Sequence, residues 1–413
     1  MQPIHSAQLQ QGCGPFYLAT SEEHMVRDDH RSLAGLRWQW LGFAVLFASI
    51  VIAGYLLLQQ RWPAGAAGQW LLLATAALAV QMAIFWIALP LNRPQADERL
   101  FGTLGYGNAL TLVRGLLVSL LAGFLLGPTP AGWLAWAPAL LYGLERIIDF
   151  FDGIVARVTR RETRLGEILD MEFDGLGLLI AVALAVQYGK LPPWYLLLGV
   201  SRPLFVLSIW LRQRAAKPVY DLPPSDHRRV IAGLHTSFVA AALWPVLAAP
   251  ITLYASYLMA APLVLSFGRD WLVVSGVIDA NAPAYLARRR AAKRVVEGWL
   301  PWVARLAGGG LALYFLWQDG AASGLDFLWL LAVVAFVLGV VSRAAALLLA
   351  VYACVVMTAA GLHLAAALLL ACAVAVLHLG GGRLALWSPE EKPLHSKLGA
   401  APPAAPQHSD APA

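Results

Sequence analysis

Residues 149–174 read DFFDGIVARVTRRETRLGEILDMEFD, and the reading of this stretch decides how the chain is built. Apolar runs flank it near 132–156 and 167–189, so it describes two membrane-spanning helices that meet at a short basic turn. Asp149 and Asp152 are three residues apart and Asp170 and Asp174 four apart. Each pair therefore projects from one face of its helix, and the turn lets the pairs converge. An acidic side chain within a span costs about 2.5–3.5 kcal/mol on insertion scales, and ionisable groups at that depth are functional by default. Ligands offering only oxygen suit a hard divalent cation, Mg²⁺ or Mn²⁺, and two such ions would neutralise four aspartates. The stretch has no Cys or His, which argues against zinc. Gly153, Ala156 and Gly166 recur at helical spacing on the same faces and let backbones and a bulky ligand approach closely. Arg157, Arg160, Arg161 and Arg164 add donors suited to phosphate oxygens. Together these residues indicate phosphoryl chemistry at a membrane surface.

The rest of the chain supports a membrane setting. Its 413 residues are 59% hydrophobic and only 13% charged, with a mean hydropathy of +0.65, far from the roughly 25% charged composition of a soluble domain. The expected fold is an all-α polytopic bundle of about twelve spans, near 38–58, 69–91, 109–127, 132–156, 167–189, 193–212, 230–249, 251–275, 301–317, 325–342, 344–360 and 363–380. Three cysteines, Cys13, Cys354 and Cys372, are too few and too scattered for a disulfide framework. The net charge of +6 does not point to nucleic acid, because Lys and Arg sit at the ends of apolar segments, as expected beside anionic membrane lipid.

Those basic residues also orient the bundle. Arg93 and Arg99, Arg157 to Arg164, Arg212 to Arg229, Arg288 to Arg294, Arg343 and Arg383 fall on one side, whereas the opposite connections carry only Arg61 and Lys190. The basic side is the cytoplasm by the positive-inside bias, so both termini and the aspartates face it. The chain divides into a polar N-terminus at 1–36, a two-span extension at 37–92, a six-span core at 93–280, a basic linker at 281–300, a four-span module at 301–388 and a disordered tail at 389–413. The polar stretch Asn92 to Tyr106 is expected to lie as an amphipathic helix along the interface. Trp38, Trp40, Trp62 and Trp70 read as interfacial anchors. The run Arg288-Arg289-Arg290 is either a solvated topology signal or a contact for anionic lipid.

The central stretch matches D-x2-D-G-x2-A-R-x8-G-x3-D-x3-D at Asp149, Asp152, Gly153, Ala156, Arg157, Gly166, Asp170 and Asp174. Eight fixed positions match by chance on the order of once in ten billion starts. The stretch resembles the signature of the CDP-alcohol phosphotransferases. The resemblance covers about 107–280, and Gly107-Asn108-Ala109-Leu110-Thr111-Leu112-Val113-Arg114 looks like the family's P-N-x-L-T-x-x-R opening with Gly107 in place of Pro. It implies transfer of a phosphatidyl group from a CDP-linked lipid such as CDP-diacylglycerol to a small polar alcohol, with release of CMP. It further implies Asp149, Asp152, Asp170 and Asp174 as ligands of two metal ions, with Asp174 also the base that deprotonates the acceptor. Asn108, Thr111, Arg114, Gly153, Ala156, Arg157 and Gly166 would meet the CDP-lipid.

The acceptor is read from arginines on the same side, Arg202, Arg212, Arg228 and Arg229, which suit an acceptor carrying a phosphate. Glycerol 3-phosphate is the leading expectation and inositol phosphate the alternative. Arg202 stands in an apolar run beside Pro203, where burial would require a partner. His235 reads as a hydrogen-bonded bundle residue, and Asp270 with Arg269 as an ion pair. Val303 to Gly308 and Gly380-Gly381-Gly382-Arg383 resemble the DoxX-like four-helix membrane family, which leaves the last module an oligomer contact, a lipid or quinone site, or a regulator. A homodimer is one assembly open to the chain, and a bacterial plasma membrane its expected location. Two readings of other classes compete: a cation-coupled transporter and a catalytically silent lipid-binding scaffold.

Overall fold

A computed structural model describes residues 15–94, 99–222, 226–319 and 324–390. Among these the chain is helical, in the order α1 (Pro15–Gln59), α2 (Ala64–Ala88), α3 (Gly105–Ala122), α4 (Ala137–Val158), α5 (Arg164–Gln187), α6 (Leu196–Gly199), α7 (Ser201–Arg214), α8 (Asp226–Ala242), α9 (Ala249–Val274), α10 (Pro283–Lys293), α11 (Leu300–Asp319), α12 (Gly324–Leu338), α13 (Ser342–Ala360) and α14 (Leu364–Leu379). Among the described residues five helices are long and apolar enough to cross a membrane, residues 29–59 of α1, Gly65–Leu91, α3, α9 and α13, and the bent pair α6–α7 would make a sixth. Helices α4 and α5 occupy expected spans too, but they carry the charges that make up the site. Large apolar side chains face outward along the bundle, such as Trp38 and Leu364 at 75% and Ile87 at 76% exposure. A water-soluble surface does not present such a coat, and the chain is an integral membrane protein.

The structure departs from the sequence reading in four places. The polar segment before residue 37 is helical from Pro15 and continuous with the first span. Around 92–106 there is no interfacial helix among the described residues. Instead, the fully buried side chain of Asn92 donates to the carbonyls of Phe101 and Thr103 at 3.0 and 3.1 Å and closes a loop. The expected span 193–212 is bent by 61° between Gly199 and Ser201. Pro203 explains the break, because it has no N–H to give the carbonyl of Gly199 and its ring clashes there. Finally, Trp62 and Trp70 are buried against Phe124, with ring centroids 5.5 and 6.2 Å apart, so they pack α2 onto α3 and do not anchor it to an interface.

Helix α3 is the axis of the core and packs against α2, α4 and α5. Its approach to α4 requires Gly107, where an added Cβ would stand 2.9 Å from the Cβ of Ala156. The C-terminal helices α11 to α14 pack together and lean on the core through α8 and α9, with Tyr254 donating to the carbonyl of Ala367 at 3.0 Å. His235 lies in the bundle with its ring against Tyr195, whose hydroxyl is 3.1 Å from Nδ1. The segment 391–413, expected to be disordered, and Cys13 lie outside the described residues.

Candidate active site

The turn between α4 and α5 is built by local chemistry. Helix α4 ends with Arg160 in the left-handed region at φ 52°. Helix α5 begins on Thr163, whose hydroxyl accepts the N–H of Gly166 at 3.0 Å, a side-chain cap on an otherwise orphan donor. Asn108 locks this cap to α3: its Nδ2 donates to Thr163 Oγ1 at 3.1 Å and to Asn92 Oδ1 at 3.2 Å. Its amide is thus committed to holding the turn.

The fixed turn brings the aspartate pairs together. Ligand oxygens of Asp149, Asp170 and Asp174 all lie within 4.8 Å of one another, and Asp152 joins them through a shared partner. That partner is Arg114, whose fully buried guanidinium bonds Asp149 and Asp152 at 2.7 Å, Asp170 at 2.5 Å and also Asp174. Thr111, one turn earlier on α3, donates to Asp152 at 3.1 Å. The N-terminal motif, expected on the nucleotide side, is therefore brought into the carboxylate cluster itself.

Two members of the cluster were missed by the sequence reading. Glu145 is fully buried and accepts from Arg114 Nε at 3.2 Å and from Arg146 Nε and Nη2 at 2.5 Å each. Arg146 also meets Asp174 at 2.7 Å and Asp149 at 3.3 Å. The signal was present, because Glu145 and Arg146 stand in the same apolar span as Asp149 and carry the same insertion cost. Five carboxylates against two guanidinium groups leave three negative charges, with Glu145, Asp152 and Arg114 buried and Asp149, Asp170 and Asp174 partly exposed. An all-oxygen donor set with that excess fits hard divalent cations, with Asp149, Asp152, Asp170 and Asp174 as the residues to hold them. Arg114 stands where the carboxylates converge and supplies part of the counter-charge.

Asp149, Asp152 and Asp170 line a cavity of about 730 Å³ together with Gly153, Arg157 and Arg229, and Asp174 stands behind them, tied to the cluster through Arg114 and Arg146. Its far wall comes from outside the core, from Arg343 at the start of α13 and Leu377 on α14. Of the four arginines expected to meet the acceptor, only Arg229 lines it. Arg228 pairs at 3.4 Å with the buried Asp270, which Arg269 also meets at 3.1 Å. Arg212 donates to the carbonyls of Pro218 and Ser275 at 3.0 and 3.1 Å and so fastens the end of α7. Arg202, expected to be buried, is exposed, because the bend before Ser201 turns its helix outward. Ala156 faces Gly107 at the helix contact, and Gly166 serves the cap.

Comparison with known proteins agrees with this geometry. Residues 105–274 match the family profile described as CDP-alcohol phosphatidyltransferase. The chain is 36% identical over 73 residues to the CDP-diacylglycerol–glycerol-3-phosphate 3-phosphatidyltransferase of Cereibacter sphaeroides, a match covering 18% of this chain and 33% of that protein. The chain thus spans about a third of the length of the relative it matches. No solved structure matches it.

Proposed function

Residues 105–274 match the CDP-alcohol phosphatidyltransferase family, and from that match we propose that the chain transfers a phosphatidyl group from a CDP-linked lipid, such as CDP-diacylglycerol, to a small polar alcohol and releases CMP. The observation that carries this reading is the convergence of Asp149, Asp170 and Asp174 within 4.8 Å beside a cavity that Asp149 and Asp170 line together with Arg157 and Arg229. In the reaction, the acceptor oxygen forms a bond to the lipid-bearing phosphorus while the bond to the CMP oxygen breaks, and the hydroxyl proton passes to a carboxylate. Asp174 is our candidate for that carboxylate. Two divalent cations, Mg²⁺ or Mn²⁺, held by the four aspartates would neutralise the pyrophosphate and the charge growing on the leaving group.

The protein's own groups divide the remaining work. Arg114 and Arg146 fix the carboxylate oxygens, and Glu145 fixes both arginines. Arg157, beside Gly153 in the cavity, is placed for the donor's phosphates. Arg229, which α8 brings to the same cavity, is placed for an acceptor's phosphate. Glycerol 3-phosphate is our leading acceptor, supported by Arg229 and by the activity named for the Cereibacter relative, and inositol phosphate would use the same arginine. We place the site and both termini on the cytoplasmic face of a bacterial plasma membrane, from the distribution of basic residues.

The test is CMP release by the purified full-length protein with CDP-diacylglycerol and Mg²⁺, offering glycerol 3-phosphate, inositol phosphate, serine and inositol in parallel, with Asp174→Asn as control. Release with one acceptor, lost in the variant, supports the transferase and names its substrate. A folded protein that does not bind CDP-diacylglycerol sinks the reading.

A further inference from the structure

Arg343 borders two cavities. Besides the catalytic one, it lines a larger space of about 1220 Å³ between the 281–300 linker and the turn that follows α14. The lining of this second space is rich in cations: Arg290, Lys293, Arg294, Arg343 and Arg383 share it with Glu297, which Lys293 meets at 3.3 Å, and beside it Glu390 accepts the N–H of Arg343 at 3.2 Å. Five cations around one cavity repel each other, and an anion among them relieves that repulsion; the catalytic reading assigns a role to none of them.

The fold maintains the cluster by fixing its backbone. Gly382 has φ +72°, and an added Cβ there would lie 3.0 Å from both the carbonyl oxygen of Gly298 and Cβ of Pro301. Only glycine follows this path so closely against the start of α11. The next residue, Arg383, donates its N–H to the same Gly298 carbonyl at 3.1 Å, and its guanidinium stands over the ring of Trp299. Beneath the turn, the buried Arg305 spends its donors on the carbonyls of Val337, Gly381 and Leu384. One arginine is consumed in holding a turn that aims another at the cavity. The linker it packs on runs from α10 through a π-helical turn, Arg294–Trp299, into α11, and this presents Arg290 one turn before Lys293 and Arg294.

We infer that this basic cavity is a second anion site, taking a phosphate mono- or diester group carried either by an anionic phospholipid headgroup or by a soluble phosphate compound. Guanidinium forks match pairs of phosphate oxygens, and the volume accommodates a headgroup with its glycerol. The site is built by the linker and the C-terminal helices. It does not depend on the transferase reading.

The experiment uses the full-length protein in detergent. Native mass spectrometry counts phosphatidylglycerol retained against phosphatidylcholine, and a thermal melt compares inorganic phosphate with chloride at matched ionic strength. The double variant Arg294→Ala with Arg383→Ala removes two of the lining cations, Arg294→Ala alone serves if the double does not fold, and Arg294→Lys with Arg383→Lys keeps the charge. Loss of two basic contacts is expected to weaken anion retention about 30-fold, with most of it restored by lysine. Retention of phosphatidylglycerol that the alanine variant loses identifies a lipid headgroup. Stabilisation by phosphate alone, lost in the same variant, identifies a soluble ligand. Equal behaviour of wild type and the alanine variant in both assays overturns the inference.

Discussion

Arg114→Met tests whether the guanidinium is the internal counter-charge of the aspartate cluster. Methionine keeps the length and apolar stem of the side chain and removes only the charged fork. Arg114 is fully buried and bonds Glu145, Asp149, Asp152, Asp170 and Asp174, so its removal leaves five carboxylates of which Arg146 meets three, Glu145, Asp149 and Asp174. Removing one partner of a buried ion pair costs about 3–5 kcal/mol, because the remaining charge is left uncompensated. For a large chain each kcal/mol lowers the melting temperature by roughly 2 °C, so the variant should melt about 6–10 °C below wild type in EDTA. A divalent cation binding the same carboxylates stabilises whichever protein needs it more. The upward shift on adding Mg²⁺ should therefore be larger in Arg114→Met than in wild type, and Arg114→Lys, which restores the charge but not the fork, should fall between them. Melting followed by tryptophan fluorescence in detergent, with EDTA or Mg²⁺, measures all three proteins. A variant that melts within about 2 °C of wild type in EDTA, and gains no more from Mg²⁺, would refute the counter-charge argument.

Glu145→Gln keeps the shape of the side chain but removes the charge that holds both arginines; at about 1.5–3 kcal/mol for a hydrogen bond to a charged group, CMP release should fall roughly 10–150-fold in kcat, read by steady-state kinetics. Gly107→Ala puts a methyl 2.9 Å from Ala156 Cβ, and overpacking of this kind costs about 1–3 kcal/mol. A thermal melt should show a matching loss, and replacing Ala156 by Gly in the same chain should recover it. Arg229→Ala should raise KM for a phosphate-bearing acceptor about 10–150-fold and leave KM for the CDP-lipid unchanged; equal effects on both substrates would remove Arg229 from the acceptor side.

What could be read before the structure, and what could not, follows from the range of each interaction. The aspartate signature was legible because its spacing is local: residues three or four apart share a helix face whatever the rest of the chain does. The helical membrane bundle was legible because composition and run length set it. Arg114 was visible as part of a motif, but its work was not, since it lies 35 residues before Asp149 and meets the aspartates only once α3 packs against α4 and α5. The misplacement of Arg202 has a local cause: Pro203 was seen as a neighbour, but its effect on the helix, the 61° bend that turns Arg202 outward, was not carried through. Trp62 and Trp70 show the limit from the other side. An indole near a helix end has the same composition whether it meets lipid headgroups or Phe124, and only packing decides. The same reasoning explains why Arg343 reads in the sequence only as one of the basic residues that orient the bundle. As a lone basic residue between two apolar runs it serves equally well as a topology signal, and its place in the wall of the catalytic cavity depends on α13 and α14 leaning on α8 and α9. The chemistry of the site is thus written locally in α4 and α5, while its charge balance and its far wall are written in helices distant in sequence.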